Sequence, residues 1–147
     1  MLVSITGDAQ LQTRTRTDGL DIRFKDASGT TALAFERVSF SKAAGSLIAW
    51  VRVPVLPNEG VTFYMVYGDN NATDLSTPAS VWTASYNAVY HLENVASVTE
   101  SKGGYTGTNQ GASNVAGQVG GAARFVDAED DNVVLPVAAL TGISSQI

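Results

Sequence analysis

The feature of this sequence that most constrains its fold is the repeated alternation of short apolar runs with turn residues. Residues 20–25 alternate apolar and charged side chains, which is the pattern of a half-buried strand. The turn Asp26-Ala27-Ser28-Gly29 follows and the chain then runs back over 31–38, so we expect a hairpin. Further strands are expected at residues 2–6, 46–53 and 61–67.

Residues 61–67 are apolar at both alternating sets of positions, which predicts a central strand covered on both faces. Trp50 and Tyr64 lie inside predicted strands, so we expect both in the core. Thr77-Pro78 is typical of a helix N-cap followed by proline at the first helical position. We expect one short helix there and no other.

The composition favours the same all-β interpretation. Hydrophobic residues make up 44% of the 147 residues, which is enough to build a core. Seven of the 14 glycines fall within residues 93–121, where the sequence becomes rich in turns. We therefore place a boundary between Asp74 and Tyr86, and expect two modules, residues 1–78 and 86–147.

The charge balance excludes several classes of function. Nine basic and 14 acidic residues give a net charge of −5, and the basic residues are scattered, so we expect no nucleic-acid binding. No apolar run approaches the roughly 20 residues that span a bilayer, so we expect no membrane insertion within the chain. Residues 1–5 lack the basic and apolar regions of a signal peptide.

The content of cysteine and histidine limits the available chemistry further. The chain has no cysteine, which excludes disulfides, thiolate metal sites and cysteine nucleophiles. The one histidine, His91, would have to serve any Ser-His-Asp triad. Residues 89–92 are predicted to form a short strand, so we interpret His91 as a structural residue of that strand.

Three motifs carry a resemblance to a known family. Residues 18–24 (DGLDIRF), 50–54 (WVRVP) and 64–73 (YMVYGDNNAT) resemble an uncharacterised bacterial β-module, a domain of unknown function, over about residues 1–75. The resemblance implies a β-sandwich. It also implies occurrence in large surface proteins and in some proteins similar to MotA/TolQ/ExbB proton-channel components.

In relatives this module often precedes a concanavalin-A-like, laminin-G-like jelly roll, and the second half of the chain resembles the opening of such a domain. The matching residues are 89–92, 117–125 and 130–136. The usual opening strand of the first module is missing before Leu2, and a jelly roll is longer than the residues present. We therefore expect a fragment, or sheets completed by other protein chains through exposed strand edges.

Four acidic residues between two apolar segments are candidate calcium ligands: Asp127, Glu129, Asp130 and Asp131. Hard cations need several oxygen ligands, and carboxylates on a loop can supply them. The resemblance adds that jelly-roll relatives often hold calcium on loops near the ligand face. The spacing does not fit an EF-hand, and the alternative is a solvated turn between two strands.

Aromatic residues in the looser segments are candidates for binding a sugar ring. Tyr86 and Tyr105 lie outside the predicted strands, where an aromatic face can stack on a glycan. The alternative role is to anchor the junction of the modules. Asp21 and Glu36 lie on neighbouring predicted strands and could face each other as glycosidase carboxylates, but like charges on a solvent face are the preferred interpretation.

These observations predict a non-enzymatic, surface-exposed structural or adhesion module with a capacity for glycan binding, located outside the cell or at its surface. One alternative is a virion or extracellular-assembly subunit, such as a decoration or fibre protein, completed by neighbouring chains. A carbohydrate-active enzyme fragment ranks last, since the strand motif with two nearby glutamates is not present. We expect no cofactor other than calcium.

Overall fold

A computed structural model describes residues 1–142 and shows the expected all-β fold, with short strands in several antiparallel sheets. The chain divides into two compact units, Met1–Val81 and Trp82–Ile147. The identification of these units with a β-sandwich module and a jelly-roll module stays a prediction.

The first sheet of the first unit has the order β1-β4-β3 and is antiparallel throughout. Its strands are β1 (Leu2–Ile5), β3 (Phe35–Ser41) and β4 (Ser46–Val51). In the central strand β4, Leu47, Ala49 and Val51 are fully buried, because alternate residues of a strand share one face. A β-bulge interrupts the pairing of β3 with β4 between Arg37 and Ser39.

The second sheet of this unit pairs β2 (Arg23–Lys25) with β5 (Tyr64–Val66). Phe24 of β2 points into the core, where its ring centroid lies 5.3 Å from that of Phe35 and 6.1 Å from that of Phe63. Both sheets therefore contribute to one hydrophobic core. Its buried members are Leu11, Ile22, Phe24, Leu33, Phe35, Leu47, Ala49 and Val51.

A helix that the sequence analysis missed follows β1. Helix α1 (Ala9–Arg14) begins after Asp8, whose carboxylate accepts hydrogen bonds from the amides of Gln10 and Leu11, both at 2.8 Å. An acidic N-cap of this kind satisfies helix N–H groups that have no partner within the helix. The expectation of no helix besides the one at Pro78 is therefore wrong, whereas helix α2 (Pro78–Val81) is confirmed.

The predicted strand over residues 20–25 is shorter than expected. A turn closed by a hydrogen bond from Ile22 N to Gly19 O precedes β2, and Asp21 is buried instead of facing solvent. The turn after β2 forms as predicted, since Asp26 N donates to Thr31 O at 3.0 Å. The hairpin does not continue, because β3 leaves to join β4 in the other sheet.

Strand β5 is not a central strand covered on both faces. Among the described residues it pairs with β2, and Tyr64 and Val66 remain 49% and 43% exposed. The prediction of Tyr64 as a core residue is therefore wrong. Trp50 is half-buried, because it lies on the face of β4 opposite to Leu47, Ala49 and Val51.

The second unit contains β6 (Val98–Thr99), β7 (Thr106–Gln110) and β10 (Asn132–Val134) in the order β10-β7-β6. A separate antiparallel pair joins β8 (Ser113–Ala116) to β9 (Gly121–Arg124). Short 3-10 helices cover Asp127–Glu129 and Val137–Leu140. Between residues 82 and 142 the buried apolar side chains are Val98, Ala112 and Ala139.

Residues 89–92 do not form the strand predicted for them. Leu92 has a left-handed backbone with φ of 58°, which is incompatible with an extended strand. The amide of Val89 donates to the carboxylate of Glu100 at 3.2 Å, so a side chain takes the place of a sheet partner.

Two glycines with positive φ provide a test of this fold. Gly45 has φ of +59°, and a Cβ there would lie 2.4 Å from the carbonyl oxygen of Asp8, the N-cap of α1. Gly29 has φ of +73° but open space around it. We expect Gly45→Ala to lower the free energy of unfolding by at least about 2 kcal/mol, and Gly29→Ala by about 1 kcal/mol, the cost of backbone strain alone.

Urea unfolding of the two variants measures this difference. Equal losses would contradict the packing of Gly45 against Asp8.

Candidate functional site

A buried carboxylate organises the polar side of the first unit. Asp21, which is 2% exposed, accepts a hydrogen bond from the amide of Arg16 at 3.1 Å and another from the amide of Gly68 at 2.7 Å. Main-chain N–H groups can stabilise a buried charge in this way. Asp21 therefore connects its own segment to that of Gly68, which lies 47 residues further along the chain.

Three arginines bind the segment that follows Gly68, which we call the arginine-bound loop (residues 68–76). The acceptors are Ala72 O for Arg16 at 2.6 Å, Thr73 O for Arg23, and the carboxylate of Asp74 for Arg37 at 2.8 Å. Most of these acceptors are main-chain carbonyls, so the guanidinium groups fix the course of the loop.

Two carboxyl groups of this region, those of Asp74 and Asp18, have lowered pKa values. Burial opposes ionisation of Asp74, but the amide of Ser76 and the guanidinium of Arg37 outweigh it and lower the pKa of Asp74. The amide of Leu20 and the side chain of Arg16 lower the pKa of Asp18. Both groups therefore act as hydrogen-bond acceptors at neutral pH.

Asp21 and Glu36 do not form the solvent-facing pair considered from the sequence. Asp21 precedes β2, which pairs with β5, whereas Glu36 lies in β3, which pairs with β4. Both side chains are buried, and both oxygens of Asp21 accept main-chain hydrogen bonds. The expectation of neighbouring strands with like charges on a solvent face is wrong, because the predicted hairpin separates into two sheets.

A second buried carboxylate organises the second unit. Glu100 is 2% exposed and accepts hydrogen bonds from the amides of Val89 at 3.2 Å, Lys102 at 2.7 Å and Gly103. Burial alone would raise the pKa of Glu100, but these amides outweigh burial and lower it. We call residues 100–105 the Glu100 turn, since the amide of Glu100 also donates to Tyr105 O at 3.0 Å.

The two tyrosines singled out from the sequence both contact the Glu100 turn. Tyr86 is 48% exposed, its ring packs edge-on against Trp82 at 5.4 Å, and its carbonyl oxygen accepts a hydrogen bond from the Lys102 ammonium. Tyr105 is 38% exposed and ends the turn. A Cβ at Gly103 would lie 2.7 Å from the Tyr105 ring, so glycine makes room for it.

His91 lies beside the same aromatic residues. Its ring centroid is 5.8 Å from that of Trp82, and the side chain is half-buried. The neighbouring Tyr90 has a raised pKa, first because its hydroxyl is buried and second because of the charge of Glu100. The structure thus gives His91 a packing contact with Trp82.

The four acidic residues proposed as calcium ligands lie on and after a 3-10 helix. Asp127 and Glu129 belong to that helix, and Asp130 follows it with φ of 55°. Asp131 accepts a hydrogen bond from the amide of Val126 at 2.9 Å, which closes the turn. Residues 1–142 contain no group of three or more histidine or acidic side chains placed to hold a metal ion, and calcium binding here stays a prediction.

Sequence reasoning missed the buried carboxylates that organise each unit separately. Asp21 was read as one position of an alternating strand, and Glu100 was not singled out. A usable signal was present for Glu100, because an acidic residue followed by Lys102-Gly103-Gly104 can fold its carboxylate back onto the next free amides. For Asp21 the partner amide of Gly68 is distant in sequence, so local patterns do not reveal it.

These features define a β-rich module in which buried charges support the main chain. A family model described as "Domain of unknown function (DUF2341)" matches residues 18–103, which is more than half of the chain. The chain therefore belongs to this family. The match begins at Asp18, the start of the first motif, and continues beyond residue 75 into the second unit.

No curated protein and no solved structure matches the chain. Among residues 1–142, none of the helices is long and apolar enough to cross a bilayer.

The role of Asp21 can be tested with Asp21→Asn. Asparagine has one side-chain oxygen and one NH2 group, so its NH2 would face the N–H of either Arg16 or Gly68 and that N–H would lose its acceptor. We therefore expect a loss of about 2 kcal/mol in the free energy of unfolding. Asp127→Asn makes the same replacement at an exposed side chain and should change stability by less than about 0.5 kcal/mol.

Urea unfolding measures both losses, and hydrogen exchange at the Gly68 amide reports the local effect. Equal stability of the two variants would contradict the bridging role.

The lowered pKa of Glu100 predicts acid sensitivity. A folded-state pKa below the ordinary value of 4.5 means that the ionised form stabilises the fold at higher pH. This contribution is complete above about pH 4.5 and is lost as the pH falls through the folded-state pKa. We expect Glu100→Gln to be less stable by about 2–3 kcal/mol at pH 7 and to show a flatter decline between pH 5 and 3.

Unfolding midpoints measured across this pH range test the prediction, with Glu129→Gln as the exposed control. If Glu100→Gln declines as steeply as the unmodified chain, Glu100 is not the acid-sensitive group.

Proposed function

We propose that the chain is a non-enzymatic structural or adhesion module of a surface-exposed protein. One observation supports this proposal most directly: the buried charged groups bind the main chain. Both oxygens of Asp21 and the carboxylate of Glu100 accept amide hydrogen bonds. A general acid requires a raised pKa near neutrality, whereas the pKa of Glu100 is lowered.

The adhesive contact that we propose is a glycan bound by Tyr86 and Tyr105. Both rings are partly exposed, and the main chain around each is fixed by the Glu100 turn. Aromatic faces that are already held in place lose little conformational freedom on binding, so they suit stacking on a sugar ring. The location that fits this role is the cell surface or the extracellular space.

We also propose that the second unit is the first part of a concanavalin-A-like jelly roll. Strands β9 and β10 fall on residues that carry the resemblance, and each of them has an antiparallel partner. Occurrence of the module within a protein similar to MotA/TolQ/ExbB proton-channel components is proposed on the family resemblance alone.

Binding to a glycan array, followed by titration of the best glycan, tests the adhesive contact. We expect Tyr86→Ala and Tyr105→Ala each to weaken binding at least about tenfold, because each removes a stacking face. Tyr64→Ala removes a tyrosine of similar exposure from the first unit and should leave binding unchanged.

Absence of glycan binding, or an equal loss in Tyr64→Ala, would contradict the proposal. Release of reducing sugar from a glycan by the chain would support the carbohydrate-active enzyme instead.

A second candidate function is a virion or extracellular-assembly subunit completed by neighbouring chains. The observation that favours it is the apolar surface of the second unit. A hollow of about 370 Å³ is lined by Tyr90, Leu92, Phe125, Val133 and Leu135 among others. Phe125, Val134 and Val137 are 46%, 50% and 85% exposed.

Exposed apolar surface of this kind is typical of contacts between chains. Light scattering separates the two candidates: an assembly of fixed stoichiometry supports the subunit, and a monomer at all concentrations contradicts it.

A further inference from the structure

We propose that a hollow in the first unit binds a short extended peptide that carries an apolar side chain next to a carboxylate. The hollow has a volume of about 490 Å³ and lies between β2, the start of β3 and the segment from Leu75 to Ser80. Its size is within the roughly 300–1,000 Å³ of small-ligand sites. This inference goes beyond the proposed function, since glycan binding is assigned to the second unit.

The charge of the lining favours an anion. Arg23 and Lys25 line the hollow, and no acidic residue does. The guanidinium of Arg23 donates its hydrogen bonds to the neutral carbonyl oxygens of Leu20, Ile22 and Thr73. Its charge also helps to lower the pKa of the nearby Asp74, whose ion pair is with Arg37. In a chain of net charge −5, this is a local excess of positive charge.

The walls of the hollow favour an apolar group attached to that anion. Ala32, Leu33, Ala34 and Phe35 form one wall, and Leu75 forms part of the rim with 52% of its surface exposed. Burial of an apolar ligand side chain against these residues would remove Leu75 from water and contribute to affinity. An amphipathic anion fits this combination, whereas a simple inorganic anion would leave Ala32 and Leu75 in contact with water.

Two hydroxyl groups favour a peptide over a fatty acid. Thr77 and Ser80 also line the hollow, and a hydroxyl can both donate and accept a hydrogen bond. The N–H and C=O groups of a peptide main chain can use both functions, whereas a fatty acid has no polar group beyond its carboxylate. Tyr64 and Val66 lie opposite Lys25 and Arg23 in the register of β2 and β5, so the partly exposed surface continues along the sheet.

The experiment uses the full chain and the peptide acetyl-Leu-Leu-Glu-Leu-amide. Calorimetry should give a Kd below about 1 mM, and amide chemical shifts should change at residues 23–25, 32–35 and 75–80. The peptide with Gln in place of Glu should bind at least about tenfold more weakly, because it lacks the charge. Octanoate is the second probe, and binding of octanoate as tight as that of the peptide would overturn the assignment to a peptide.

Charge variants locate the site. Lys25→Glu should weaken peptide binding at least about tenfold, and Lys25→Gln should weaken it by a smaller factor. Arg124→Glu makes the same change of charge at an exposed position of β9 in the second unit and should leave binding unchanged. Equal effects of Lys25→Glu and Arg124→Glu, equal binding of the Glu and Gln peptides, or no shift at the named amides would each overturn the proposal.

This result does not depend on the glycan experiment, because the glycan experiment tests Tyr86 and Tyr105 in the second unit and the peptide experiment tests Lys25 in the first.

Discussion

The first unit depends on one hydrogen-bonded carboxylate, that of Asp21. Its two oxygens hold the amides of Arg16 and Gly68, and this fixes where the arginine-bound loop begins. The three arginines then hold the loop through Ala72, Thr73 and Asp74. Leu75 and Thr77, which follow, line the hollow beside β2. A buried polar group is costly unless it is hydrogen-bonded, and this cost makes the position of the loop specific as well as stable.

The second unit uses the same device with less apolar support. Glu100 gathers the amides of Val89, Lys102 and Gly103, while Val98, Ala112 and Ala139 are the apolar residues buried between positions 82 and 142. The first unit packs phenylalanine, leucine and isoleucine side chains into one cluster. Hydrogen bonds to a buried carboxylate are directional, so they can order the main chain of a unit that buries little hydrocarbon.

The sequence predicts those parts of the fold that local patterns determine. The strand β4, the turn at Asp26, the short helix at Pro78 and the all-β class follow from periodicity and turn residues. The helix α1 was missed because its N-cap, Asp8, was not recognised as one. The positions of Tyr64, Asp21 and Glu36 depend on which strands pair, and that choice is made by contacts between distant segments. Tyr86 and Tyr105 are partly exposed, as their location in the looser segments suggests. The residues that line the hollow of the first unit come from separate parts of the sequence, so only the folded sheets show that they lie together.

The β-bulge in β3 has a consequence for any strand that approaches the edge of β3 that faces away from β4. The register with β4 shifts between Arg37 and Ser39, so the alternation of inward and outward side chains is out of phase on the two sides of the bulge. On this edge the carbonyl of Phe35 accepts a hydrogen bond from Thr77 N, and the amide of Arg37 donates to the hydroxyl of Ser76. An incoming strand would therefore meet the stretch after the bulge, Ser39–Ser41, which is shorter than the roughly six or seven residues of segments that stack into fibrils.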